Sequence, residues 1–145
     1  MELIRRKTDY SLRALVAISQ ADRPVRAEEL AERGQTPIAF LHKALSDLAE
    51  ARILEGQRGP GGGFTLARPA HKISLLDVIE ALQGPLLVSN CLSENSDCTR
   101  KEACPQRHAW MQAQQGLEAT LGGITLENLA ALYAAPRPAQ RPRAK

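Results

Sequence analysis

Three cysteines, Cys91, Cys98 and Cys104, lie within one polar stretch, with six residues between the first two and five between the second pair. An odd number of thiols does not suit a disulfide framework, and clustered thiols in a reducing compartment more often serve metal or redox chemistry. The gaps are too wide for the paired knuckles of a structural zinc site. A soft thiolate triad on one flexible loop is better suited to an iron-sulfur cluster, and three cysteines with one non-cysteine ligand are compatible with either 2Fe-2S or 4Fe-4S. Zinc, or three unliganded thiols, is the alternative reading.

Catalysis is not expected. The chain has three histidines, His42, His71 and His108. Neither His42 nor His71 has a sequence reason to meet a cysteine as a general base.

The elements that must carry these residues follow from periodicity and capping. Thr8 to Ala21 has Leu12, Leu15 and Val16 at helical spacing, with Thr8 as the expected N-cap and Asp9 placed well against the helix dipole. Pro24 breaks the chain before a short helix, Ala27 to Arg33, with Gly34 as its expected stop. Thr36-Pro37 reads as an N-cap and first-turn pair for a third helix, with Leu41, Ala44, Leu45, Leu48 and Ala49 on its apolar face. The short glycine-bearing turn between helices two and three fits a helix-turn-helix, whose recognition helix would present Ala39, His42, Lys43 and Ser46 outward.

Ile53-Leu54 and Phe64-Thr65-Leu66 predict two short strands around a glycine-rich loop containing Arg58, which together make a wing. Ser74 opens another helix, with Asp77 in capping-box position and a stop at Gly84-Pro85. Ser89 to Pro105 is too polar to pack as a regular apolar element. A helix over about Gln106 to Leu121 follows, able to pair with its copy in a dimer, and Thr125 caps a last short helix.

The expected organisation is a mainly α winged helix-turn-helix region over 1–84, a cysteine loop over 85–105, a dimerisation helix and short terminal helix over 106–134, and a basic tail over 135–145. The net charge of +3 in 145 residues suits a nucleic-acid partner without requiring one. Charged residues interrupt any signal-like run at the N-terminus and no stretch approaches membrane-spanning length, so a cytoplasmic location is expected, with no membrane partner.

The order of elements, the run Arg58-Gly59-Pro60-Gly61-Gly62-Gly63-Phe64, the cysteine triad and the opening Thr8-Asp9-Tyr10 converge on one family. From about Met1 to Leu132 the chain resembles the IscR and NsrR family of iron-sulfur winged-helix transcriptional regulators. In that family the wing arginine enters the minor groove while early residues of the third helix face the major groove. The resemblance therefore implies Arg58 with Gly59, Gly61 and Gly62 in the wing, and Ala39, His42 and Lys43, with Thr36 at the head of their helix, as the DNA-binding set. A narrow minor groove attracts a guanidinium, and glycines admit close backbone approach. A merely flexible hairpin is the bland reading of the same residues, and a solvated face that of His42 and Lys43.

The resemblance also bears on the fourth cluster ligand, a histidine in IscR-like members and an N-terminal aspartate from the other subunit in some NsrR-like members. His108 stands four residues after Cys104 where the IscR-like pattern has three, and Arg107 occupies that position. Asp9 is favoured, as a ligand to the partner's cluster. The competing meanings are a dipole-stabilising acid for Asp9, a helix-surface histidine for His108 and a solvated loop for Glu94, Asp97 and Glu102.

The expected function is a homodimeric repressor of a roughly palindromic double-stranded DNA operator, sensing cluster or iron status, redox state or nitric oxide. Release of the loop from Leu92 to Ala103 would shift the dimer helix and the spacing of the recognition helices. The alternative keeps the DNA-binding fold and makes the cysteines a metal-free thiol redox switch.

Overall fold

In the computed structural model, which describes residues 2–135, six helices surround one apolar core and a two-stranded hairpin projects from it. The chain order is α1 (Arg6–Ser19), α2 (Ala27–Gly34), α3 (Ile38–Glu50), β1 (Leu54–Gln57), β2 (Gly63–Leu66), α4 (Leu75–Gln83), α5 (Pro105–Gly123) and α6 (Leu126–Ala134). The mainly helical winged architecture expected from the sequence is the observed one. Apart from Ala135, the expected basic tail lies outside the described residues.

The core forms where the apolar stripes of α1, α3 and α4 meet. Leu15, Leu41, Leu45, Leu48, Ile53, Ile73, Val78 and Leu126 are buried almost completely. Leu126 makes α6 part of this core, although the sequence grouped that helix with α5. Leu126 N–H donates to the Ile73 carbonyl at 2.8 Å and Leu75 N–H to the Ile124 carbonyl at 2.9 Å, so the heads of α4 and α6 are stitched together. Both heads carry a complete capping box, Ser74 with Asp77 and Thr125 with Asn128. Each cap satisfies backbone donors that the first turn leaves without partners.

Three end signals differ from expectation. Thr8 does not cap α1; the helix starts one turn earlier from Arg5, and the buried Thr8 hydroxyl donates to Gln83 Oε1 at 2.8 Å. Gln83 also accepts from Arg5 N–H and donates to the Leu3 carbonyl, so it fixes the start of α1 against the end of α4. After α2, Gln35 rather than Gly34 takes the left-handed conformation, at φ 50°. Pro37, not Thr36, is the N-cap of α3, with no side-chain cap, because the Thr36 hydroxyl turns back to the Gly34 carbonyl.

The hairpin pairs Leu54 with Leu66 through Gln57 with Gly63, antiparallel. Val25, in the link between α1 and α2, adds a bridge to Phe64 through two backbone hydrogen bonds of 3.0 and 2.8 Å. The wing is thereby tied to the helix-turn-helix rather than left as a free loop.

Candidate functional site

On α3 the burial pattern separates two faces. Leu41, Ala44, Leu45 and Leu48 point into the core, whereas Ala39, His42, Lys43 and Ser46 are exposed. Thr36 does not join them: it is 7% exposed, with its hydroxyl spent on the turn. That bond holds Thr36 in the turn that sets the entry of α3.

The wing loop is presented beside that face. A shallow recess is bordered by Arg26, His42, Gln57, Gly59 and Phe64, so the exposed face of α3 and the wing flank a common groove. Arg58 is exposed at the tip of the hairpin and makes no ion pair among the described residues. Gly59 and Gly61 are exposed, but Gly62 is buried. A Cβ on Gly62 would fall 2.4 Å from the Gln57 carbonyl oxygen, so this glycine lets the turn close on itself.

Lys43 is not a free cation. It pairs with Asp47 one turn along α3, and Asp47 also accepts from Lys7 on α1. The Lys43 hydrogen bond, followed by that of Lys7, holds the Asp47 carboxyl below the usual carboxylate range, and the same carboxylate raises Lys43 above the usual lysine value. Neither Lys7 nor Asp47 was singled out from the sequence. Partners forty residues apart leave no local periodic signal.

The cysteine loop leaves α4 at Gly84 and returns at α5. Cys91 lies in a short 3-10 turn (Asn90–Leu92) packed on α5, with its sulfur 3.3 Å from the Ser89 hydroxyl. Cys91 and Cys98 line one recess together with Asn95 and Asp97. Cys104 is the N-cap residue of α5. All three thiols are free, with Cys98 exposed and the other two partly buried. Among the described residues, no three His, Cys, Asp or Glu side chains stand in a metal-binding group. The donor set suits a soft metal group chemically but is not gathered around a centre.

The expected fourth ligands are similarly dispersed. Asp9 is exposed in the first turn of α1 and paired with Arg13 at 2.7 Å, while Arg13 covers the Tyr10 ring. His108 is exposed on the first turn of α5. Its neighbour Arg107, passed over as a departure from pattern, is partly buried, and its Nε is the one buried side-chain nitrogen or oxygen without a partner among the described residues. Arg107 Nη1 donates to Met111 Sδ at 3.4 Å, so it is the Nε–H alone, three residues from the Cys104 thiol, that is left to meet an anionic group in the loop.

The long helix α5 is largely exposed. Gln114 anchors it, donating to the Leu86 carbonyl at 2.7 Å and accepting from Val88 N–H at 2.9 Å. Trp110 and Met111 remain 43% and 39% exposed. No helix among the described residues is long and apolar enough to cross a membrane.

Comparison with known proteins gives a consistent picture. Residues 4–132 match the family described as Rrf2, iron-dependent transcriptional regulator. The HTH-type transcriptional repressor NsrR of Streptomyces coelicolor is 31% identical over 132 residues, covering 89% of this chain and 88% of that protein. Among solved structures, CymR, the global cysteine regulator of B. subtilis, superposes with a TM-score of 0.75 at 23% identity, covering 91% of this chain and 98% of that one. T. potens IscR gives 0.71 at 23% identity, covering 90% and 87%. At these identities the structural matches show the shared fold.

Proposed function

Because this chain belongs to the Rrf2 family of iron-dependent transcriptional regulators, we propose that it is a homodimeric repressor whose grip on operator DNA depends on an iron-sulfur cluster held by Cys91, Cys98 and Cys104. The observation that carries the reading is the pairing of two features on one chain. An exposed recognition face lies beside an arginine-tipped wing, and three free thiols sit on a loop that runs into an exposed helix.

His42 and Lys43 face the major groove in this reading, and Arg58 with Gly59 and Gly61 enters the minor groove. Lys43 supplies charge to phosphate, whereas Arg58 supplies charge where groove narrowing concentrates negative potential. The apolar surface of α5 around Trp110 and Met111 pairs with its copy, which places two recognition helices on successive half-sites. Asp9, reaching from the partner subunit, completes the ligand set in preference to His108.

When bound, the cluster supplies a redox-active and nitric-oxide-reactive iron centre with one weakly held position. The chain's contribution is mechanical. Cys91 lies in a turn packed on α5 and Cys104 stands at the N-cap position of the same helix, so drawing the thiols together would fix the loop against α5.

The test is iron and acid-labile sulfide in anaerobically purified protein, followed by its affinity for operator duplexes selected from random sequence, before and after iron removal at matched salt. Iron and sulfide in proportion, with different holo and apo affinities, are expected. Equal affinities would sink the sensing role.

One further observation favours a second reading. Cys91 and Cys98 share a recess, so a metal-free disulfide switch between them predicts colourless protein whose DNA affinity changes with oxidant alone.

Replacing Arg58 by alanine is expected to weaken duplex binding and lower the slope of log K against log salt by about 0.9 per subunit. Fluorescence anisotropy across a salt series reads both quantities. An unchanged slope removes Arg58 from the interface.

A further inference from the structure

Asp47 is gripped by lysines from two different elements. Lys7 Nζ donates to one carboxylate oxygen and Lys43 Nζ to the other, both at 2.5 Å. The carboxylate is 15% exposed, Lys7 26% and Lys43 71%. Lys43 thus stands on the outward face of α3 with its counter-ion beneath it. Lys7 reaches the same counter-ion from the interior side, out of the first turn of α1.

One anion between two cations cannot neutralise both. The more firmly Lys7 holds Asp47, the less of the carboxylate's charge opposes Lys43, and the more of the Lys43 charge is available to a phosphate. Without Lys7, the Lys43–Asp47 pair is neutral overall and presents a dipole rather than a net charge.

We propose that Asp47 is a positioning residue for DNA binding, a counter-ion shared by Lys7 and Lys43 whose partition sets how much positive charge α3 delivers to the phosphate backbone. This rests on the reading that α3 and Lys43 face DNA. Lys7 itself stays behind α3 and touches no DNA; it acts through Asp47.

The test measures affinity for a mixed-sequence DNA duplex across a salt series, because non-specific binding isolates the electrostatic contribution. Asp47→Asn keeps the side-chain shape, removes the shared anion and is expected to tighten binding about threefold, with a slope steeper by up to about 0.9 per subunit. Lys7→Gln leaves Asp47 to Lys43 alone and is expected to do the reverse.

The double variant Lys7→Gln/Asp47→Asn is expected to match Asp47→Asn, since Lys7 has no route to DNA except through the carboxylate. Additive return of the double variant to the wild-type slope would overturn the proposal, because it would make Lys7 a phosphate contact in its own right. An unchanged slope in both single variants would overturn it as well.

Lys43→Ala separates this idea from its premise. If that variant leaves the slope unchanged, Lys43 does not face DNA and both fall; if it lowers the slope while the other two variants do not alter it, only the shared counter-ion falls. Thermal unfolding by circular dichroism monitors the fold. Should Asp47→Asn not fold, Asp47→Ala, alone and combined with Lys7→Gln, takes its place with the same expected and overturning outcomes.

Discussion

Replacing Cys98 by serine is expected to abolish iron and acid-labile sulfide in anaerobically prepared protein while leaving the fold and non-specific DNA binding intact. The argument separates ligand chemistry from packing. Cys98 is exposed, lies in a loop between helices and contributes nothing to the apolar core. Surface changes of this kind shift stability by no more than about 0.5 kcal/mol. Serine preserves the size of the side chain, but its hydroxyl does not ionise to a soft thiolate, which is the species that binds iron.

The loss should be nearly complete rather than graded, because the remaining donors are two thiols and weaker oxygen or nitrogen ligands. Iron and sulfide determination with visible absorption, set beside circular dichroism and the salt slope on mixed-sequence duplex, checks each half. A Cys98→Ser protein with its full complement of iron would remove the triad. A wild-type protein without iron that forms a Cys91–Cys98 disulfide under oxidant would favour the thiol switch instead.

Particular residues explain what the sequence made legible. Ser74 with Asp77 is a local signal over three residues, and the observed capping box is the one it specifies. The alternation of buried and exposed positions on α3 likewise follows from helical period alone. Thr36 misled because a threonine before proline suits both a cap and a turn. The backbone chose the turn, and Pro37 took the cap position. Thr8 is a similar case, a helix-capping residue type drawn into the core by a partner at Gln83, seventy-five residues away.

Pairs such as Thr8 with Gln83, or Lys7 with Asp47, are set by the packing of α1 on its neighbours, which no local window contains. The cysteine loop shows a different limit. Its spacing is local and readable, but a centre is assembled by the group it binds as well as by the chain, and here the thiols stand apart. The family match bears on regulation and iron dependence, while the identity of the ligands rests on the chemistry of the loop.

Gly63→Ala is expected to destabilise the protein by about 2–4 kcal/mol and to remove the contribution of the wing to DNA binding, although Gly63 itself touches no DNA in the proposed complex. The residue sits at φ 145°, and a Cβ there would lie 2.6 Å from the carbonyl carbon and oxygen of Val25. Those are backbone atoms, unable to swing aside like the end of a side chain. Relief requires the hairpin to move off Val25, which breaks the two hydrogen bonds between Val25 and Phe64 and uncovers a valine now 1% exposed.

Gly61→Ala is the informative contrast. Its φ is 73° and a Cβ would meet nothing within 4 Å, so only the left-handed backbone cost of about 1–2 kcal/mol applies. Urea unfolding should therefore place Gly63→Ala below Gly61→Ala. The salt slope of Gly63→Ala should fall to that of Arg58→Ala, since the guanidinium would no longer be carried to the groove beside α3. A Gly63→Ala protein as stable as Gly61→Ala would mean that the wing moves freely on Val25. Arg58 would then be delivered by DNA-induced ordering instead of by a preformed hairpin, and its alanine variant should lose more affinity on flexible sequences than on stiff, narrow-grooved ones.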